Sequence, residues 1–378
     1  MCFIKRFNFV FFIEDKKLQN KEGFNMKKIS LIFVLLCAFA MILGITNSSY
    51  RNAYHKYFGG MTKYYAPFVS AVNTTVENPN LLKDLSVAKS RPLQSCGVEM
   101  IPQILSCDGT LMHKLILKMA ALGYNEVNWN IGCPFPTVTR KKRGSGILPY
   151  AELIDKVLNE AMKDIPCKLS IKMRLGLNDT TEFRNVLKVI SQYPVSELTI
   201  HPRTGKQAYS GKPYLEYFAE ALELYGKPIA YNGDIFDDES FFNIKKMFPE
   251  VTHFMLGRGA LSDPFLARRL CGNPDFDNDT KIKILHDFHD EIFNSFDISF
   301  GSTHKDIDNK PAGICHKMKG FWEYSAVHLK NSEQFIKKIH RTKNVRQYIE
   351  TVEHYFQNDA DWTDKGIYYF LRSNLNED

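Results

Sequence analysis

The fold is decided by residues 126–176, EVNWNIGCPFPTVTRKKRGSGILPYAELIDKVLNEAMKDIPCKLSIKMRLG. This stretch opens with a short apolar run (126–130) and continues through a loop rich in Gly, Lys and Arg. It then enters PYAELIDKVLNEAMK (149–163), whose apolar residues recur every three and four positions, as in a helix that packs on a sheet. A second apolar run follows at 168–173. Strand, helix and strand in this order predict a parallel βαβ unit.

The same alternation extends on both sides, from about residue 30 to about residue 270. Further helices are predicted at 110–123 and 181–193. Eight strands, each followed by a helix or a long loop, predict an α/β fold, a TIM (β/α)8 barrel. A doubly wound open sheet is the competing architecture, and the count of eight favours the barrel. The remaining predicted strands are 30–38, 64–69, 99–105, 196–200, 228–231 and 252–256.

The pattern changes after about residue 275. Residues 281–296, 313–329 and 332–356 have helical periodicity, and no strand signal interrupts them. The sequence therefore predicts a small all-α helical domain after the barrel.

Composition gives weaker constraints. Of the 378 residues, 44% are hydrophobic and 24% charged, which excludes a fibrous or disordered chain. The net charge of +7 permits a polyanionic partner without requiring one. The run Arg140–Arg143 (RKKR) is the most concentrated basic segment of the central region, and a solvated basic face is its alternative reading.

The cysteines are scattered, with neither a CxxC pair nor a Cys/His metal spacing. This argues against a disulfide framework and a structural metal, and it fits a reducing cytosol. The eight positions are Cys2, Cys37, Cys96, Cys107, Cys133, Cys167, Cys271 and Cys315.

The segment that begins at Met26, MKKISLIFVLLCAFAMILGITNSS, has two readings. Two lysines followed by about seventeen mostly apolar residues resemble a bacterial signal peptide. The same run can be a buried strand of a parallel barrel.

Polar and reactive side chains follow the predicted strands at their carboxyl ends, where barrels build active sites. Because these ends meet at one mouth, the side chains are expected to converge there. The strand ends are Pro102-Gln103, Asn128–Pro134, Lys172–Arg174, His201–Thr204, Asn232-Gly233-Asp234 and Gly257-Arg258-Gly259.

The last two of these tripeptides, NGD and GRG, follow strands seven and eight, where barrels commonly bind phosphate. Gly233 and Gly257 would let backbone N–H groups approach a phosphate, and Arg258 would add charge. A glycine turn beside a surface arginine would explain either tripeptide alone.

Four further residues have a functional and an ordinary reading. Lys172 inside the mouth is costly unless it faces an anion or an electron-rich ring, or pairs with a carboxylate. Gln103 could hydrogen-bond the edge of a heterocycle. His201 could donate to a carbonyl, bind phosphate or be structural. Cys133 lies on a loop after a strand, so its thiol could be an acid, a nucleophile or an inert buried group.

Taken together, several segments resemble the tRNA-dihydrouridine synthase family. They occur in the family's order over about residues 37 to 270, and the C-terminal region resembles that family's tRNA-binding domain. The segments are NWNIGCPFPTVTRKKRGSGILPY (128–150), SIKMRLG (170–176), LTIHPRTGKQAYSGKPYLEYFAE (198–220), PIAYNGDIF (228–236) and FMLGRGALSDPFL (254–266).

The resemblance implies a flavoprotein in which FMN lies in the barrel mouth and NADPH reduces it. The flavin would pass a hydride to C6 of a uracil in tRNA, and Cys133 would protonate C5 as general acid. The helical domain and the basic loop would hold the tRNA, because a base must be flipped out to reach such a pocket. The residues on the family's FMN-binding positions are Gln103, Lys172, His201, Asn232, Gly233, Asp234, Gly257 and Arg258.

The resemblance also reinterprets the N-terminus. The family's first strand ends in a motif of the form A-P-M-E/D-G-[VI]-T, which aligns with Ala40–Thr46 here. The apolar run is therefore interpreted as strand one, although Met41 and Leu43 replace the proline and the acidic residue.

These inferences define the expected organisation: an extension (1–29), an FMN-binding barrel (30–275) and a helical tRNA-binding domain (276–378). We expect a cytoplasmic protein with tRNA as partner, no metal and no stable membrane association, and a monomer is favoured. Two alternatives stay open: another FMN barrel acting on a small molecule, and a tRNA-binding protein with impaired catalysis.

Overall fold

The fold was analysed in a computed structural model, which describes residues 46–71, 82–86, 93–299, 313–364 and 366. The predicted first strand (30–38), the segment Ala40–Gly44 and the predicted extension (1–29) lie outside the described residues.

The described strands form parallel ladders that follow chain order. One sheet of six strands has the order β2-β4-β5-β6-β7-β8, and β1 pairs with β3 beside it. Sequential neighbours in a parallel sheet are what consecutive βα units produce. The strands are β1 (Lys63–Tyr65), β2 (Val69–Ser70), β3 (Glu99–Ile101), β4 (Gln103–Leu105), β5 (Glu126–Ile131), β6 (Lys168–Gly176), β7 (Leu198–Thr204) and β8 (Ile229–Tyr231).

The predicted strand at 252–256 is reduced to a single parallel bridge between Phe254 and Tyr231, which places that segment beside β8. The predicted strands at 64–69 and 99–105 are each divided in two. With these adjustments the chain has the TIM-barrel arrangement predicted from its sequence, followed by helices.

Helices cover the outside of the sheet. The carboxylate of Asp108 accepts a hydrogen bond from the Leu111 N–H, which fixes the start of one helix, and Asp237 and Ser240 form a capping box at another. Their apolar faces pack on the strands around the fully buried Trp129. The helices of this region are α1 (Ser48–Tyr57), α2 (Gly109–Ala121), α3 (Pro136–Thr139), α4 (Ala151–Ala161), α5 (Phe183–Ile190), α6 (Leu215–Tyr225), α7 (Asp238–Met247), α8 (Arg258–Ser262) and α9 (Leu266–Leu270).

The C-terminal region is helical, as predicted. It consists of α10 (Asn278–Ser299), α11 (Gly313–Ser325), α12 (Ser332–Arg341) and α13 (Val345–Asn358). The prediction of a single helix at 332–356 is wrong, because the first helix ends at Arg341 and a second begins at Val345. The Asn344 side chain accepts a hydrogen bond from the Gln347 N–H and starts α13 as a separate helix.

A second hydrophobic core joins α1 to the C-terminal helices. The Phe288 ring of α10 lies 5.2 Å from Tyr50 and 4.9 Å from Phe58, and Phe58 lies 5.1 Å from Phe265. Edge-to-face contacts of this kind add to the burial of the rings. Helix α1 is therefore held by the helical region as well as by the chain that leads into β1.

Within the part of the chain that the structure describes, no helix has both the length and the apolar character needed to cross a bilayer.

Candidate active site

The loop after β5 holds Cys133 in a fixed position. The Asn130 Oδ1 atom accepts hydrogen bonds from the N–H groups of Gly132 and Cys133, each at 3.1 Å. The carbonyl of Cys133 accepts bonds from the N–H and the hydroxyl of Ser145 at 2.9 and 3.1 Å. Gly144 has φ +54°, and a Cβ there would lie 2.5 Å from the Cys133 carbonyl oxygen. The loop thus requires glycine at position 144 and fixes the backbone of Cys133.

The thiol itself is protonated at neutral pH. Burial raises the pKa of Cys133 above its ordinary value, and this effect outweighs the backbone hydrogen bond at Phe135 and the charges of Arg174 and Lys172. A thiol in this state can give up a proton but is a poor nucleophile. Among the roles left open by the sequence, the environment argues against a nucleophile and is compatible with an acid and with an inert buried group.

Cationic side chains crowd next to this loop. Lys172 and Arg174 extend from β6, and the register pairs Lys172 with Asn130 and Arg174 with His201 of β7. The Arg174 guanidinium is buried and donates to the carbonyls of Gly132, Thr204 and Ala208 at 2.9, 2.9 and 2.6 Å. These bonds join the Cys133 loop to the end of β7.

Burial, and after it the neighbouring cations, shift the pKa values of Lys172, Arg174 and His201 downward. Burial and the neighbouring Arg174 lower the pKa of Lys172 to about 7. Burial is also the main cause of the lowered pKa values of Arg174, to about 10, and of His201, well below its ordinary value. An anion bound here would relieve this repulsion, so the cluster suits a phosphate-bearing ligand.

Asp234 is the counter-ion of two arginines. Its carboxylate accepts two hydrogen bonds from Arg203, one of them at 2.8 Å, and a third from Arg258 at 2.8 Å. The Arg258 guanidinium also lies 4.4 Å from the centre of the Tyr209 ring. Asp234, predicted as a cofactor ligand, thus positions the two arginines.

The protonation state of His201 follows from its partner. Arg203 Nη1 lies 3.2 Å from His201 Nε2, and a guanidinium can only donate. Nε2 is then the acceptor, so the ring is neutral and its proton is on Nδ1, in agreement with the lowered pKa.

The other predicted residues surround this network. Gln103 donates to Asn128 at 2.9 Å, and its carbonyl oxygen lies 3.4 Å from the side-chain nitrogen of Asn130. Asn232 donates to the Met255 carbonyl at 2.8 Å.

The two predicted phosphate-site glycines differ in their surroundings. A Cβ on Gly233 would lie 2.1 Å from the Tyr231 hydroxyl, whereas one on Gly257 would meet nothing within 4 Å. Contacts therefore connect six of the predicted residues: Cys133, Gln103, Lys172, His201, Asp234 and Arg258. The other three, Asn232, Gly233 and Gly257, lie within two positions of Asp234 or Arg258 in the sequence.

Four residues of the network were missing from the predicted set: Asn130, Arg174, Arg203 and Tyr209. The two arginines could have been predicted from the sequence, since each lies two positions after a predicted site residue on the same strand. Side chains at i and i+2 of a strand share a face, so Arg174 accompanies Lys172 and Arg203 accompanies His201.

Comparison with known proteins shows the family of this chain. The model of the dihydrouridine synthase family (Dus) matches residues 38–360. The tRNA-dihydrouridine synthase B of Pasteurella multocida is 29% identical over 231 residues, which are 61% of this chain and 67% of that protein. The tRNA-dihydrouridine(16) synthase of Neisseria meningitidis is 29% identical over 214 residues, 56% of this chain and 64% of that protein.

The matched region thus spans 67% of the length of the first relative and 64% of the length of the second. Among solved structures, an old yellow enzyme homologue from Zymomonas mobilis aligns with a TM-score of 0.47 at 8% identity, covering 62% of this chain and 86% of that one. On the match of the family model, the chain belongs to the dihydrouridine synthase family.

Proposed function

We propose that this protein reduces the C5=C6 bond of uridines in tRNA to dihydrouridine, with FMN as cofactor and NADPH as reductant. The observation that carries the proposal is a buried thiol, Cys133, on a loop fixed by hydrogen bonds, beside a cationic cluster at the carboxyl ends of parallel strands. The substrate, a uridine in tRNA, is suggested by the names of the relatives.

The residues at the mouth fit FMN. Its phosphate would be held by Arg258 and by backbone groups around Gly233 and Gly257, where Gly257 leaves open space. Burial lowers the pKa of Lys172, Arg174 and Arg258, and repulsion between Lys172 and Arg174 and between Arg174 and Arg258 adds to this effect. This gathering of buried cations supports an anionic ligand, because such a ligand would reduce the electrostatic cost of keeping them together.

The remaining predicted cofactor residues would contact the flavin ring and the phosphate. Neutral His201 would offer its Nδ1 proton to a polar ring edge. Gln103, which donates one amide proton to Asn128, would offer the other. Asn232 and Asp234 would hold the part of the mouth that binds the phosphate. Asn232 would do so through its bond to the Met255 carbonyl, and Asp234 through its bond to Arg258.

FMN, when bound and reduced by NADPH, supplies the hydride that C6 of the uracil accepts. Cys133 supplies the other half of the reduction: the S–H bond breaks, its proton goes to C5, and a thiolate remains. The charges of Arg174 and Lys172, which already favour the thiolate, stabilise that product until a proton from solvent restores the thiol. Asn130 and Ser145 keep the sulfur aligned through their bonds to the loop.

The substrate would be held outside the mouth. The basic run Arg140–Arg143 follows the Cys133 loop within the same segment, and Lys142 lies 4.1 Å above the Tyr150 ring. Helix α12 ends in Lys338, His340 and Arg341. Phosphate contacts from such groups would offset the few kcal/mol that flipping a base costs.

A Cys133→Ala variant tests the function. The thiol proton is lost but the cofactor groups remain, so FMN binding should be unchanged while dihydrouridine formation in tRNA falls about 10²–10⁴-fold. Flavin absorbance and dihydrouridine content after incubation with NADPH measure the two effects. Cys96→Ala, which removes an exposed thiol, is the matched control and should retain activity.

Each alternative has its own outcome. Equal turnover by Cys133→Ala would refute the general-acid role. Reduction of small enones but not of tRNA would favour a small-molecule reductase, and tRNA binding by a protein that takes up no FMN would favour a binding protein without catalysis.

A further inference from the structure

A group of histidines and carboxylates lies between α10 and α13, in the helical region and apart from the barrel mouth. His286, His289 and Asp290 belong to α10, and their ligating atoms lie within 4.8 Å of one another. Glu353 of α13 brings a second carboxylate, whose Oε1 atom is 3.3 Å from His286 Nε2. Neither the fold nor the proposed reaction accounts for this arrangement.

A chain of hydrogen bonds fixes His289 and, through it, Asp290. The Trp322 indole N–H can only donate, and it donates to the Tyr348 hydroxyl at 2.8 Å. The Tyr348 hydroxyl then donates to His289 Nε2, also at 2.8 Å. The proton of His289 is therefore on Nδ1, which donates to Asp290 Oδ1 at 2.9 Å. Asp290 is held as a carboxylate whose Oδ1 atom lies 4.0 Å from His286 Nε2.

His286 faces these carboxylates with an unused ring nitrogen. Its ring stacks on Phe356 at 4.3 Å, nearly parallel, which sets its orientation. Its Nε2 atom is sealed from solvent and forms no hydrogen bond with any described residue. Asp290 Oδ1 is 4.0 Å away, one helical turn along α10. A buried nitrogen that forms no hydrogen bond, with two carboxylates at ion-pairing distance, is an arrangement that a ligand shared by all three groups would satisfy.

We propose that His286, Asp290 and Glu353 bind a divalent transition-metal ion, zinc being the best match. Bonds of about 2.0–2.2 Å to a tetrahedral zinc separate neighbouring ligand atoms by roughly 3.3 Å, which is the spacing of His286 Nε2 and Glu353 Oε1. An imidazole with two carboxylates favours zinc over magnesium or calcium, which take oxygen ligands.

The surroundings are those of a built metal site. His289 orients Asp290, as outer hydrogen-bond partners of metal-bound carboxylates do. The Asp290 and Glu353 side chains are 50% and 41% exposed, which gives the ion a route from solvent and leaves room for a water as fourth ligand. A bound ion would link α10 to α13 and stiffen the helical region.

The test uses the full-length protein, stripped with a chelator and titrated with Zn²⁺ by calorimetry. One equivalent should bind, and the melting temperature should rise with zinc concentration. Co²⁺ should give the visible absorbance of a four-coordinate site. His286→Gln and Glu353→Gln should each weaken binding by more than the roughly 10–100-fold that loss of an outer partner causes.

His253→Ala removes an exposed histidine elsewhere and should leave zinc binding unchanged. Glu353→Gln preserves the size of the side chain and removes only its charge, at a partly exposed position. This variant therefore tests the site if His286→Gln does not fold. Absence of stoichiometric binding would show that His286 is simply an ion-pair partner of the carboxylates. Binding that both variants retain in full would place zinc elsewhere. Either result overturns the proposal, and neither depends on dihydrouridine synthesis.

Discussion

Removing the charge of Asp234 should destabilise the protein even without cofactor. Arg203 is completely buried, and its guanidinium is paired with this carboxylate through two hydrogen bonds. Arg258, almost as buried, makes a third. In Asp234→Asn the amide keeps one acceptor oxygen and presents an N–H₂ group to the other guanidinium nitrogen, so Arg203 is left in the interior without its counter-ion.

The magnitude follows from this geometry. Breaking a buried ion pair by removing one partner costs about 3–5 kcal/mol, because the remaining charge stays desolvated. The Asp234 side chain is 23% exposed, so solvent screens part of the effect. The Arg203 bond to the Gly211 carbonyl at 2.6 Å also survives. We therefore expect the lower end of the range, a loss of about 3 kcal/mol in the free energy of unfolding.

Urea unfolding followed by far-ultraviolet circular dichroism measures this loss. Glu220→Gln is the matched control, since Glu220 also binds an arginine, Arg184, through two hydrogen bonds, but at the surface. Exposed pairs contribute little, and the control should leave the unfolding midpoint unchanged. A loss below about 1 kcal/mol in Asp234→Asn would refute the idea that this carboxylate neutralises a buried arginine.

Two further predictions concern the same mouth. Gly259→Ala should destabilise or prevent folding, since its Cβ would lie 1.9 Å from the Ile235 carbonyl oxygen, whereas Gly257→Ala meets nothing and should fold normally; equal melting temperatures would contradict the packing. The lowered pKa of Lys172, from 10.5 to about 7, means that between these pH values the unfolded chain binds more protons at this lysine, so stability rises with pH. The melting temperature of the cofactor-free wild type should therefore approach that of Lys172→Met as the pH is raised from about 7 toward 10. A difference between the two melting temperatures that does not change with pH would count against the lowered pKa of Lys172.

Much of the fold could be predicted from the sequence, because barrel strands and their helices are local patterns. Seven of the eight predicted strand segments fall on strands or on the bridge at Phe254, and the eighth, 30–38, lies outside the described residues. The failures are also local in origin. The periodicity of 332–356 continues through Thr342–Asn344, but Asn344 caps a new helix there. Periodicity does not detect such a break.

The packing of α1 was not predictable in this way. Residues 48–58 follow the predicted first strand (30–38) in sequence, yet Tyr50 contacts Phe288 and Phe58 contacts Phe265, in each case more than 200 positions along the chain. Only the tertiary structure brings these apolar surfaces together, because a hydrophobic face does not specify which other face will cover it.

The sequence by itself determined which strand ends carry polar chemistry, since the carboxyl ends of parallel strands must meet at one mouth. It identified Cys133, Lys172, His201 and Arg258 for that reason. It could not determine their charge states: the thiol held protonated, the lysine with a pKa near 7, the histidine neutral. Those depend on burial and on neighbours from other strands, and both arise only when the chain is folded.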